Sequence, residues 1–476
     1  MKLHPLITKA LRGLLVLLSL LGVCVTVIIG TNLVDEDLSP AARKLLVAPA
    51  PTVPDSANGY FVLLGMNAPK DTDPLEAGIK LQATQDREYR ENPLRTEYTQ
   101  APPAATDASS KERCQLRVDD CVGLYLKNKP ALLEWTASQE VWRTRYGRLM
   151  GMKDFEERPF LSAHMPWPAY APVVRAAEMN LISAVLAIDA GDADAGLTAI
   201  AAEIKGHRRL LAGSRMLIWK MINVSMLRRD YQVLSEILEH WPGLAQTHAP
   251  LLASMLQPLD VQESDMRQVM EMENLFAAKV LLHMSEAFAA SQHSFSLGVE
   301  GSWLASGAED LFNQAAYMPN ATLNAAALYW TRRAEAGSGG AANVQARKQK
   351  LLSYYDAWAG DLNRLPWKYL RNPVGKVFLT VGEDPGKFFT YFERVYDLDG
   401  YIRLVGLQAA LRREKIAKAE AAGFVQRAAP ALRNPYNGEA MGWDAAGSSL
   451  FFEGRQPATA NPEYEKKVHR IKMALP

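Results

Sequence analysis

The sequence predicts a mostly α-helical protein: one N-terminal transmembrane helix, then α-helical hairpins stacked as a bundle or solenoid, then a small C-terminal β-hairpin. Three observations carry this. Leu14–Ile29 (LLVLLSLLGVCVTVII) is an uncharged apolar run. From Val122 onward, apolar residues recur at helical spacing. Near residue 434 the pattern changes to short apolar runs between turns at Asn437-Gly438 and Ala446-Gly447, a hairpin signature.

The N-terminal run comes first. With Ala10, Leu11 and Gly13 it reaches the length that spans a bilayer's hydrocarbon core, so residues 10–30 are the expected membrane contact. Lys2, Lys9 and Arg12 precede it, and Asp35, Glu36 and Asp37 follow. The positive-inside rule then places the N-terminus in the cytoplasm and residues 32–476 across the membrane. A cleaved signal peptide is the alternative, but the apolar run is long for one and no small-x-small site follows closely. Cys24 lies within the run, which continues past it, and reads as apolar filler rather than as a lipidation site.

The compartment decides the reading of CQLRVDDC, Cys114 to Cys121. Zinc needs four ligands, and the nearest histidine is His164. A redox pair favours C-x-x-C. In an oxidising space two cysteines this close should pair, so Cys114–Cys121 is expected as a structural disulfide, with two free thiols as the alternative.

Along the chain the expected organisation is an anchor at 1–31, a spacer and irregular region at 32–113, a helical domain with the disulfide loop at 114–250, a second helical region at 251–425, and the hairpin and tail at 426–476. The spacer reading rests on APAPTVPDSANG, rich in Pro and Ala. YFVLLGMNAP could be a short docked helix, and residues 82–113 read as an irregular loop. Pro172–Ala190 reads as one helix with Val174, Ala177, Leu181, Val185 and Ile188 on one face. Gly191 should stop it and Asp192 cap the next. Ser214–Leu227 is apolar nearly all round and should be a central buried helix, with another at Asp230–Trp241. Further helices are expected at Ser264–Ser291, Ala325–Arg333, Lys348–Ala359, Gly386–Asp397 and Tyr401–Ala422. The stretch NLISAVLAIDAGDADAGLTAIAAEI is similar to one tetratricopeptide hairpin, without a clean repeat.

Three stretches carry a wider resemblance: YMPNATLN (Tyr317–Asn324), LRNPVGKVFL (Leu370–Leu379), and RLVGLQAALRRE with LRNPYNGEAMGWD (Arg403–Glu414 and Leu432–Asp444). Together they resemble a group of proteobacterial inner-membrane-anchored periplasmic helical proteins that end in an NPYTGEPM-like hairpin. The resemblance implies a bacterial inner membrane, a cytoplasmic N-terminus and a periplasmic body. It brings no reaction with it. The NPYNG turn is also similar to the closing hairpin of secretion pseudopilins, but this body is far larger and the span lacks their cleavage signature.

Chemistry-bearing motifs are sparse. The 476 residues carry 53 basic and 52 acidic side chains, and without Lys2, Lys9 and Arg12 the body is slightly acidic. That argues against general nucleic-acid binding, which needs a dense basic face. The eight histidines are scattered. His283 and Glu286, three apart, read as a surface or core pair. No G-x-S-x-G occurs, and Gly337–Gly340 lacks the Lys-Ser/Thr of a phosphate loop. Glu271 and Glu273 read as a solvated rim and Asp397-Leu-Asp399-Gly400 as a helix cap. The thioethers of Met150/Met152 and Met270/Met272 are soft enough to bind copper, but no copper site is assigned to them, and Met216, Met221 and Met226 lie on a core helix and suit gap-filling. Arg145-Tyr146, Asn372–Gly375 and Asn434–Tyr436 read as structural. No cofactor, metal or catalytic residue is assigned. The expectation is an interaction or assembly module for an envelope protein, with Arg208, Arg209 and Arg215 as a possible partner groove. The alternative is an envelope enzyme, such as a glycan hydrolase, whose carboxylates meet only in the fold.

Overall fold

The computed structural model describes residues 5–32, 34–93, 95–102, 114, 120–159, 161–290, 317–363, 371–382, 384–455 and 469–475. Residues 103–113 of the expected irregular loop and SLGVEGSWLASG (296–307), a Gly-rich stretch expected as a joint between helices, lie outside them, as does the side chain of Glu286.

Helix α1 (Pro5–Thr31) is long and apolar enough to cross a membrane. Its described side chains from Leu14 to Val23 face outward, with Leu17 64% exposed. α8 (Tyr170–Asp189) passes the same test by composition, but two thirds of it is buried within the body.

The segment expected as a spacer is packed instead. It contains α2 (Pro40–Leu45); YFVLLGMNAP then supplies the docked helix expected there, α3 (Gly59–Leu64), and α4 (Pro74–Glu91) runs on into the stretch expected as an irregular loop. Ala42 and Tyr60–Leu64 are buried. Local chemistry starts these helices: Ser39 accepts from the Ala42 N–H, Asn58 from Tyr60 and Asp73 from Leu75, with Pro40 and Pro74 in the first turns. α3 and α4 meet backbone to backbone at two glycines. A Cβ on Gly78 would lie 1.8 Å from the Phe61 carbonyl oxygen, and one on Gly65 1.9 Å from that of Pro74.

After the disulfide come α5 (Cys121–Lys127), α6 (Lys129–Ser138) and α7 (Glu140–Gly151). Arg145 of α7 closes over the end of α3, donating to the carbonyls of Met66 (2.9 Å), Ala68 (2.7 Å) and Pro69 (2.6 Å). These carbonyls belong to the loop between α3 and α4, which the guanidinium holds in place.

The centre of the body is α8, α9 (Ala193–Gly213) and α10 (Leu217–His240), consecutive hairpin partners. Gly191 takes φ +94° at the turn and Asp192 caps α9 through the Ala195 N–H. The two helices expected at 214–227 and 230–241 are one. No breaker separates them, and Arg228–Asp230 is buried by tertiary partners.

The later helices are α11 (Leu244–Thr247), α12 (Ala249–Met255), α13 (Val261–Ser264), α14 (Arg267–Ala290), α15 (Pro319–Ala336), α16 (Val344–Asn363), α17 (Pro373–Gly382), α18 (Pro385–Arg413) and α19 (Ala421–Gln426). Here packing is not sequential. α10 packs on α18 and α2 on α15, alongside the neighbouring pair α14 and α15. α18 also fuses two expected helices, so Asp397, Asp399 and Gly400 lie inside it rather than at a cap.

Among the described residues the tail forms three strands rather than the two of a hairpin: β1 (Gly442–Asp444), β2 (Ser449–Phe451) and β3 (Arg470–Lys472) in an antiparallel sheet ordered β1-β2-β3. Trp443 pairs with Leu450, and Leu450 with Ile471. Arg470 ties the sheet across by donating to Asp444 and to Ser449 Oγ, both at 2.7 Å. The segment after β2 seats on α18: the Phe452 ring lies where a Cβ on Gly400 would be.

Candidate functional site

An open cavity of about 440 Å³ lies where the disulfide segment, the end of α10 and the C-terminal sheet meet. Asp120, Glu236, Glu239, His240, Ser448 and Lys472 line it. Glu236, Glu239 and His240 share one face of α10, three and four residues apart.

Each acidic group already has structural work. Glu236 accepts from the Val122 N–H at the start of α5 (3.0 Å) and from Gln232 Nε2 (2.9 Å). Burial pushes its carboxyl up to about 7 against those bonds, with Asp120 adding to the rise. Glu239 is held by Arg412 at 2.8 Å through both oxygens, and by Gln408. Asp120 caps α5 through the Gly123 N–H and meets His240 Nε2 at 3.2 Å. The Cys114–Cys121 disulfide is formed, with Cα atoms 5.2 Å apart, next to Asp120 of the cavity wall. Among the described residues no cluster of His, Cys, Asp or Glu is arranged to hold a metal.

Glu236 yields a pH prediction. Folded, it keeps its proton to about 7; unfolded, it loses it near 4.5. The stability it supplies is therefore fully present below 4.5 and is lost as pH rises through 7. Replacing it by glutamine should flatten that decline, by up to about 1.4 kcal/mol per pH unit for one proton. Denaturant titrations of both proteins across this window check it.

Two further polar clusters are closed. In the first, His207 Nδ1 meets Asp230 Oδ2 at 2.6 Å and its Nε2 meets the Tyr146 hydroxyl at 2.8 Å. Tyr146 also donates to Glu203, which accepts from Asn180 Nδ2 at 2.7 Å. Burial opposes charge on His207, but Asp230, by charge and hydrogen bond, and Glu203 outweigh it and raise its pKa. This has the ingredients of a catalytic triad, yet His207 is wholly enclosed, so the arrangement fixes α7, α9 and α10 to one another.

In the second, two carboxylates meet at the start of α10. Glu157 accepts from the N–H groups of Arg215 and Met216, both at 2.8 Å, and Glu273 from that of Leu217 at 2.9 Å. Burial raises Glu157 to about 8 despite those bonds, and Glu273 adds to the rise. These long-range carboxylates cap a helix whose own cap residue, Met216, has no polar side chain. Glu273 is therefore interior, whereas Glu271 is exposed and paired with Arg267 at 2.8 Å.

The three arginines expected to line a groove are turned inward at separate places. Arg208 forks onto Glu263 (2.6 Å) and donates to the carbonyls of Gln257 and Pro258. Arg209 donates to the Met150 carbonyl at 2.7 Å, and Arg215 to Glu156 at 2.6 Å. Asp397 accepts from Tyr436 (2.6 Å) and Asp399 from the Leu259 N–H (2.8 Å). Met270 and Met272 are buried. His283 Nδ1 lies 2.8 Å from its own helix carbonyl, Lys279.

The third constellation joins distant segments at the end of α1. Asn32 accepts from the Asn372 N–H at 2.6 Å, and Arg371 donates to the Thr31 carbonyl at 3.1 Å. Asp35 caps α15, accepting from Asn320 N (2.8 Å) and Ala321 N (3.1 Å). Asn324 donates to the Asp37 carbonyl and accepts from Ser39 N. Asn372, at φ +51°, accepts from Met318 N and donates to Thr322, closing the knot.

The cavity residues Glu236, Glu239 and His240 were missed from sequence, although their spacing in SEILEH was a readable signal. Asp120, Ser448 and Lys472 offered none, because only folding brings them there. No protein-family model, curated protein or solved structure matches this chain.

Proposed function

We propose that the chain is a single-pass inner-membrane protein whose periplasmic helical body serves as an interaction or assembly module for an envelope partner. The observation that carries this reading is the knot at the end of α1. A protein needing only tethering can hang on a loose linker. Here Asn32, Asp35 and Asp37 are bonded into α15 and the 371–372 turn, so the body is presented at a set angle to its anchor. The hairpins of α8, α9 and α10, weakly tetratricopeptide-like, supply a helical scaffold of the kind that offers faces to partners. The inward use of the titratable clusters supports the same reading.

A crosslinking pull-down of the full-length protein from native membranes, set against a chain lacking residues 1–31, tests it. The expected result is one reproducible envelope protein captured only by the anchored chain. A clean bait with no partner counts against the module.

A second reading is favoured by Glu236. A carboxyl raised to about 7 beside a second carboxylate in an open cavity is the pattern of a glycosidic general acid. Hydrolysis of peptidoglycan by the purified protein, abolished in Glu236→Gln, would establish an envelope enzyme. The module reading expects no turnover from either.

A further inference from the structure

From the apolar flank of α17 and its bond to the end of α1, we infer that α17 is a second membrane contact, lying in the headgroup region of the bilayer that α1 crosses. The inference rests on the anchored reading. Asn372, the residue before α17, donates its N–H to Asn32, the residue after α1. Where α1 leaves the hydrocarbon, α17 therefore begins.

The composition of α17 fits that place. Gly375 and Leu379 face inward; Gly375 has the Thr322 and Asn372 side chains where a Cβ would stand. On one flank Phe378, next to that buried stripe, packs its ring edge-to-face on Tyr317 at 5.8 Å, and beyond it Val374 and Val377 run outward, with Val377 49% exposed. Lys376 and Thr380 occupy the other flank. An apolar strip on a short helix held at the bilayer surface buries its side chains among the acyl boundary atoms. Val34, also in the exit segment, is 76% exposed and lies on the same junction. Lipid covers both without any protein partner.

The knot sets the body's angle to α1, and a second contact at the surface sets the tilt of that unit against the bilayer. α17 thus supplies what the knot prepares: a body held at one angle and one depth over the membrane.

Nitroxide labelling of the full-length chain tests this. Cys24 is replaced by alanine, the disulfide is kept, and single cysteines are introduced as Leu18→Cys, Val377→Cys and Val261→Cys. Val261 is an 80% exposed apolar residue of the body and serves as the water reference. The protein is reconstituted in vesicles of phosphatidylethanolamine and phosphatidylglycerol, and relaxation by oxygen is compared with relaxation by a water-soluble nickel chelate. The expected result is oxygen dominance at 18 and 377 and nickel dominance at 261. Oxygen dominance at 18 with nickel dominance at 377 overturns the second contact and leaves the anchor intact. Nickel dominance at 18 overturns the anchored reading and this inference with it.

Discussion

Replacing Asp230 by alanine should cost about 3–5 kcal/mol of folding stability, the scale for breaking a buried charged pair by removing one partner. Asp230 is 1% exposed and His207 is wholly buried. Losing the carboxylate strands the imidazole Nδ1 with no water to replace its partner. The effect then spreads, because His207 also meets Tyr146, and Tyr146 donates to Glu203. Chemical denaturation of the full-length protein in detergent checks the magnitude. Asp230→Asn should cost less, since an acceptor of nearly the same shape remains. Its signature is instead the titration of His207. Burial opposes charge on His207, but the Asp230 carboxyl, by charge and hydrogen bond, and Glu203 outweigh it, so its pKa is raised above its ordinary value. The stability this supplies is fully present below about pH 6.5, the unfolded pKa, and fades as pH rises through the folded pKa. In Asp230→Asn, burial dominates and the pKa should fall, a shift visible in the imidazole proton resonance.

Gly78→Ala should destabilise the protein by about 2 kcal/mol or more, although alanine is the better helix former. Two effects compete. Alanine in a helix interior gains roughly 1 kcal/mol over glycine. Against it, the new Cβ would stand 1.8 Å from the Phe61 carbonyl oxygen, and backbone cannot swing aside as a side-chain tip can. α4 must retreat from α3, which opens the contacts of Tyr60–Leu64, all buried; overpacking of this kind costs about 1–3 kcal/mol and occasionally more. Gly147 is the control. It lies mid-way along α7 with nothing within 4 Å of its would-be Cβ, so Gly147→Ala should stabilise by about 0.5–1 kcal/mol. Opposite signs for one chemical change would show that helix proximity, not propensity, selects glycine at 78.

Both predictions turn on contacts that the sequence does not announce. Gly78 sits in a stretch that reads as polar and irregular past residue 82, yet α4 is continuous to Glu91. His207 looks like one scattered histidine among eight. Its partner Asp230 lies on the next helix, 23 residues on.

What the sequence by itself determined is local or compositional. The apolar run of α1, the turn at Gly191 with its Asp192 cap, the helical periodicity of α8 and the short Cys114–Cys121 loop each depend on residues within a few turns of one another. Propensity, capping and burial of one face act at that range, so they can be read directly. The tertiary structure decided the rest. It merged the two segments of α10, because Asp230 and Arg228 found buried partners where a polar break looked natural. It added β3 to the sheet from three residues too short to carry a pattern. It turned Arg208, Arg209 and Arg215 inward onto acceptors supplied by other elements. It joined Asn32 to Asn372 across 340 residues, making a fixed support of what reads as a spacer. Pairings at that distance are chosen by which faces exclude water together, and a linear pattern shows that a face is apolar without showing what will cover it.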